Sequence, residues 1–106
     1  YEEVLGLKRV KPEEWGDFPI MMSAGNSGVA LFPSKTNNPK NIPEGDYLTA
    51  FHFAFQVSNE DFEVFRKHLE SKNIEYEFQD SIHFHSFFIS DPDKYQVEIT
   101  TQVKNF

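Results

Sequence analysis

The feature that most constrains this chain is an alternating segment at residues 51–57, which is followed at once by a marked helix start. Large apolar residues alternate there with other types, which is the period of a strand with one buried face. One face carries Phe51, Phe53, Phe55 and Val57, and the other carries His52, Ala54 and Gln56. A face so rich in Phe has to be covered by a neighbouring element.

The covering element is predicted to be the helix that follows. Ser58 is a suitable N-cap, and Asp61 stands three residues later, as in a capping box. Asn73 tolerates the left-handed conformation that ends a helix, and Ile74 can close back onto the last turn. The apolar stripe at helical spacing consists of Phe62, Phe65 and Leu69.

Three short strands fit the rest of this half. They are predicted at residues 75–79, 84–89 and 95–101, and a turn at residues 91–94 separates the last two. In the last strand Val97 and Ile99 share one face, and Gln96, Glu98 and Thr100 share the other. The predicted core of this half consists of Phe53, Phe55, Phe62, Phe65, Leu69, Val97 and Ile99. If the helix covers the Phe, Val and Ile faces, the opposite face keeps His52, Gln56 and Glu98.

A histidine and a carboxylate on one face are of chemical interest. His52 and Glu98 come from two different strands, and such a pair can supply two ligands of a metal ion. The spacing alone does not show that they meet. The alternative is that His52 is an ordinary hydrogen-bonded core or surface residue.

Four segments of this half form a recognisable combination: His52-Phe53-Ala54-Phe55, Asn73-Ile74, Ser86-Phe87-Phe88-Ile89-Ser90-Asp91-Pro92-Asp93 and Val97-Glu98-Ile99. Taken together, they resemble the vicinal oxygen chelate superfamily. That group includes glyoxalase I, extradiol dioxygenases, fosfomycin-resistance thiol transferases and bleomycin-binding proteins. The resemblance covers residues 51–101 well and the earlier part loosely.

The first half repeats the order of the second without its opening strand. Residues 1–5 read as the end of a helix, and strands are predicted at residues 7–11, 20–24 and 29–32. Internal duplication of this kind indicates two stacked modules. The resemblance implies an α+β fold in which two βαβββ-type modules form a curled mixed sheet around a cleft. We expect one domain over residues 1–106, with a first module (1–33) lacking its opening strand, a linker (34–50) and a second module (51–106).

The resemblance also implies a metal site. His52 and Glu98 occupy the family's ligand positions in the second module, and the expected cofactor is a divalent metal: Zn, Fe, Mn or Ni. One further family position lies in the missing strand. The other falls where this chain offers only poor ligands, which weighs against a glyoxalase I-like site of four protein ligands. A site of two His and one carboxylate is compatible with the sequence if the missing strand supplies a His. Those poor ligands are Ala30, Leu31, Phe32, Pro33 and Ser34.

Four more residues are candidates for a substrate pocket. Ser86 and Phe88 match positions that face the ligand in fosfomycin-resistance enzymes, although Phe88 lacks the phenol found there; its alternative role is core packing. Gln56 shares the face of His52, with an exposed surface role as the alternative. His85 is a candidate supporting partner for the site, or else an exposed edge-strand residue.

Charge and composition limit the function classes. A formal charge of −7 argues against nucleic acid or an anionic membrane as partner. The absence of cysteine excludes disulfides, thiolate metal sites and Cys nucleophiles. No apolar run approaches membrane-spanning length, so the expected location is the cytoplasm.

The resemblance implies a metal-dependent lyase, transferase or dioxygenase that acts on a small oxygenated substrate. In such enzymes a divalent metal chelates two neighbouring substrate oxygens and polarises them as a Lewis acid. One alternative is a metal-free, bleomycin-resistance-like protein that binds a small molecule or drug. Another is a fold whose cleft is filled by side chains. We also expect a homodimer, because the missing strand would leave an unpaired sheet edge.

Overall fold

The computed structural model describes residues 1–33 and 52–106. Its internal contacts divide the chain into two compact units, Tyr1–Pro39 and Lys40–Phe106. The predicted linker and Phe51 lie outside the described residues.

The first unit contains a three-stranded antiparallel sheet in the order β1-β2-β3. Its strands are β1 (Lys8–Val10), β2 (Ile20–Ala24) and β3 (Ser27–Leu31), with a short 3-10 helix at Glu13–Trp15 between β1 and β2. The predicted helix end at residues 1–5 is a turn here, which closes with the Gly6 N–H donating to the Glu2 carbonyl at 3.0 Å. Gly6 has φ +69°, a conformation that glycine adopts without steric cost.

The second unit has the strand–helix–three-strand order that the sequence predicts. It consists of β4 (His52–Gln56), α1 (Asn59–Ser71), β5 (Glu77–Asp80), β6 (Phe84–Ser90) and β7 (Gln96–Gln102). The sheet order is β4-β7-β6-β5, with β4 parallel to β7 and the remaining pairs antiparallel. The predicted α+β class and the βαβββ order of the second half are therefore confirmed.

Helix α1 begins and ends as its sequence signals indicate. The Ser58 Oγ accepts a hydrogen bond from the Asp61 N–H at 3.1 Å, which satisfies a donor of the first turn. At the other end Asn73 has φ 55°, and the Ile74 N–H donates to the Leu69 carbonyl at 3.0 Å. The local sequence thus fixes the length of the helix.

The core of the second unit lies between α1 and one face of the sheet. The Phe62 ring stacks on the Phe87 ring with centroids 4.1 Å apart, and Leu69 is fully buried. Of the predicted core residues, Phe62, Leu69, Val97 and Ile99 are buried, whereas Phe53, Phe55 and Phe65 are only half-buried. Phe87 and Ile89 of β6 complete this core; their strand was predicted from the sequence, but their burial was not.

None of the helices among the described residues has the length and apolar character that crossing a membrane requires.

Candidate functional site

The strand residues that point away from α1 form a second face of the sheet, which we call the site face. Register decides its membership, because residues directly opposite each other on paired strands share a side. Glu98 of β7 lies between Ala54 of β4 and Phe88 of β6, and Ser86 lies beside Thr100. The site face therefore includes His52, Ala54, Gln56, Ser86, Phe88, Glu98 and Thr100.

His52 and Glu98 meet on this face. The His52 Nε2 lies 3.0 Å from the Glu98 Oε2. The contact is diagonal, since Glu98 pairs with Ala54 and His52 stands two residues before Ala54 in β4. The His52 side chain is 37% exposed and that of Glu98 is 15% exposed. Solvent therefore reaches the pair mainly at His52, whereas the Glu98 carboxylate is largely enclosed by its neighbours.

The other oxygen of Glu98 has a buried partner. The Ser86 hydroxyl donates to the Glu98 Oε1 at 2.6 Å, and Ser86 is only 3% exposed. The Thr100 Oγ1 lies 2.9 Å from the Ser86 Oγ and 3.3 Å from the backbone carbonyl oxygen of His85. The two oxygens of one carboxylate thus face different neighbours, one a hydroxyl and one an imidazole.

Phe88 and Gln56 share the site face with the pair. The Phe88 ring stands edge-on to the His52 ring, with centroids 5.6 Å apart and planes at 77°. Phe88 is half-buried, which gives the pair an apolar wall. Gln56 is exposed and lies beside Thr100, two positions along β4 from Ala54.

His85 is the predicted pocket residue that the structure does not bring to this face. Its Nε2 lies 3.7 Å from the Asp80 Oδ2, and its ring packs edge-on against Phe78 at 5.3 Å. Successive side chains of a strand point to opposite sides, so His85 cannot share a face with its neighbour Ser86. In β6 it belongs to the α1 side of the sheet, together with Phe87.

The contact of Thr100 with Ser86 was not predicted from the sequence. The alternation of β7 placed Thr100 on the face of Glu98, but nothing in the sequence distinguished it from the other polar residues there. Its closeness to Ser86 follows from the register of β6 against β7, which two isolated strand patterns do not specify.

The His52–Glu98 pair fits a divalent cation. An imidazole nitrogen and a carboxylate oxygen are common donors for borderline metals such as Zn, Fe, Mn and Ni. Two ligand atoms at roughly 2.1 Å from one ion and roughly 90° apart would lie about 3.0 Å from each other, which matches the observed separation. No group of three or more His, Asp or Glu side chains suited to a metal occurs in the described ranges 1–33 and 52–106. Within these ranges, His52 and Glu98 are thus the two side chains that would hold such a cation.

Comparison with known families gives the class to which this fold and site belong. The family model of the Glyoxalase/Bleomycin resistance protein/Dioxygenase superfamily matches residues 1–99. The chain therefore belongs to this superfamily, which confirms the resemblance seen in the sequence. Comparison with curated proteins gave no match.

Several solved structures share the fold. A protein described as a glyoxalase family member from Bacillus anthracis is 24% identical, with a TM-score of 0.72 over 96% of this chain and 78% of its own. A lactoylglutathione lyase from Agrobacterium tumefaciens is 22% identical, with a TM-score of 0.67 over 95% and 79%. A glyoxalase/dioxygenase from Nostoc punctiforme is 18% identical, with a TM-score of 0.75 over 98% and 80%.

Proposed function

We propose that this protein is a metal-dependent enzyme of the glyoxalase/dioxygenase type that acts on a small oxygenated molecule. The observation that carries the proposal is the 3.0 Å approach of the His52 Nε2 to the Glu98 Oε2 on one face of the sheet. Superfamily membership supports it, and the resemblance seen in the sequence implies that these two residues take the family's ligand positions in the second module.

Three residues of the site face have a defined task in this proposal. His52 supplies a neutral nitrogen donor, and Glu98 supplies an oxygen donor with a negative charge that offsets part of the charge of the ion. Phe88 excludes water from one side and offers an apolar surface to the carbon skeleton of a substrate. When bound there, a divalent metal supplies Lewis-acid polarisation of two neighbouring substrate oxygens.

Three types of reaction are compatible with the proposed site. Lyase, transferase and dioxygenase chemistry all use substrate chelation, and the residues of the site face favour none of the three. One solved structure with this fold is a lactoylglutathione lyase, so the lyase reaction is the first to assay.

The proposal is tested by the metal content of the protein after mild purification without chelators. We expect about one equivalent of a transition metal per chain in the wild type, and much less in His52→Ala and Glu98→Gln. Gln56→Ala is the matched control, because Gln56 lies on the same face and strand as His52 and should leave the content unchanged. A wild-type protein that neither carries nor takes up Zn, Fe, Mn or Ni would reject the proposal.

A metal-free binding protein is the second candidate. It is favoured by the pairing itself, since the His52 Nε2 and the Glu98 Oε2 lie within hydrogen-bond distance of each other at 3.0 Å. In that case the site face would hold a small molecule or drug by packing and hydrogen bonds. Ligand binding that persists at full strength in excess chelator would select this candidate.

We propose further that the protein is a cytoplasmic homodimer. The lack of cysteine suits a reducing compartment. Among the described residues, strand β4 is the outermost strand of the four-stranded sheet, and sheet edges are ready-made sites for pairing with another chain. Partners other than a second copy are expected to be small molecules, because the net charge of −7 disfavours nucleic acid and anionic membranes.

A further inference from the structure

We propose that Ser86 is a positioning residue that orients Glu98 for metal binding. The inference rests on the proposed metal site and adds a residue to it that touches neither metal nor substrate. Its basis is the hydrogen bond of 2.6 Å between the Ser86 Oγ and the Glu98 Oε1.

The direction of this hydrogen bond follows from simple chemistry. Ser86 carries one hydroxyl proton, and an ionised carboxylate can only accept. Hydrogen bonds to charged acceptors are short and strong, and 2.6 Å is in the range expected for an O–H···O⁻ contact. The proton of Ser86 therefore points to Glu98. The Thr100 Oγ1, 2.9 Å from the Ser86 Oγ, is a second polar neighbour of this hydroxyl.

The position of Ser86 suits it for holding a carboxylate and not for binding a substrate. Ser86 is only 3% exposed, whereas the His52 side chain beside Glu98 is 37% exposed. Ser86 sits on β6 and Glu98 on β7, two strands joined by a continuous antiparallel register. The hydroxyl is thus held in place by the sheet, where it can support Glu98.

A consequence for metal binding follows. With Oε1 held by Ser86, only Oε2 is directed toward the His52 Nε2. Glu98 should then bind a cation through one oxygen and not through two. Loss of the Ser86 hydroxyl would let the carboxylate rotate, which weakens the site and changes its coordination.

The test is titration of the protein with Co²⁺, whose visible absorption reports the number and arrangement of its ligands. We expect Ser86→Ala to bind Co²⁺ about 10- to 100-fold more weakly than the wild type, the usual cost of losing a partner that orients a ligand. Its Co²⁺ spectrum should also change. Ser86→Thr keeps the hydroxyl and should restore both affinity and spectrum. Ser90→Ala is the matched control, since Ser90 is on the same strand but accepts its hydrogen bond from Gln96.

The outcomes separate this inference from the proposed function. If the wild type binds Co²⁺ and Ser86→Ala binds it with the same affinity and spectrum, the role of Ser86 is overturned and the metal site stands. If the wild type binds no Co²⁺, the proposed metal site fails and the role of Ser86 fails with it.

A measurement on the wild type covers the case in which Ser86→Ala does not fold. Infrared spectra of metal-loaded protein with ¹³C-labelled Glu, with the Glu98→Gln spectrum subtracted, report the carboxylate stretches of Glu98. A wide separation of the two stretches, typical of binding through one oxygen, would support the inference. A narrow separation, typical of binding through both oxygens, would overturn it.

Discussion

Glu98 is the residue on which the site face depends, because it links the two strands beside its own. Its Oε2 meets His52 of β4, and its Oε1 meets Ser86 of β6. Alternation put His52 and Glu98 on the polar side of their strands, and the resemblance to the superfamily was needed to predict them as a pair. The sequence could not assign Ser86 its partner, because that contact depends on the register between β6 and β7.

Phe87 and Phe88 are consecutive residues of β6, yet one belongs to the core and the other to the site face. Phe87 is 1% exposed and packs against Phe62, whereas Phe88 is half-buried beside His52. Phe87→Ala should lower the free energy of unfolding by about 3–5 kcal/mol, from lost burial and a cavity.

Phe88→Ala is the matched comparison. It removes the same ring from the same strand but from the site face, so its cost should be clearly smaller. Urea or thermal unfolding of both variants measures the difference. Equal costs, or a larger cost for Phe88→Ala, would mean that the two faces of β6 are assigned the wrong way round.

At the scale of elements, the second unit was predictable because its signals agree with one another. The capping serine, the apolar stripe and the left-handed Asn73 each mark α1, and the turn at residues 91–94 closes through the Asp91 side chain. The Asp91 Oδ1 accepts from the Asp93 and Tyr95 N–H groups at 2.9 and 2.8 Å.

The first unit was less predictable at its start. Residues 1–5 carry an apolar pair and a following glycine, which are typical of a helix end, yet the structure has one turn there. A single turn fixes several torsions for few hydrogen bonds, so such a short segment carries little helical preference of its own. The strand positions in this unit were predicted correctly to within two residues, because the Gly25-Asn26 turn separates two apolar runs.

At the scale of the whole molecule, the proposed property is the association of two chains into a homodimer. Light scattering at micromolar concentration should give twice the mass of one chain, which is 12.4 kDa for these 106 residues. An interface specific enough for this mass should bury more than about 1,000 Å² in total. A monomer mass that does not change on adding metal would reject the dimer, while leaving the His52–Glu98 site untouched.

The central claim is that His52 and Glu98 bind one divalent cation together, and a double-mutant cycle of cation affinity tests it most directly. His52→Ala and Glu98→Gln should each weaken Zn²⁺ or Mn²⁺ binding about 100-fold or more, equivalent to about 2.7 kcal/mol. Because both residues would hold the same ion, the double variant should bind little worse than either single one. Gln56→Ala should bind as the wild type does. Wild-type affinity in either single variant, or two losses that simply add, would contradict a shared site.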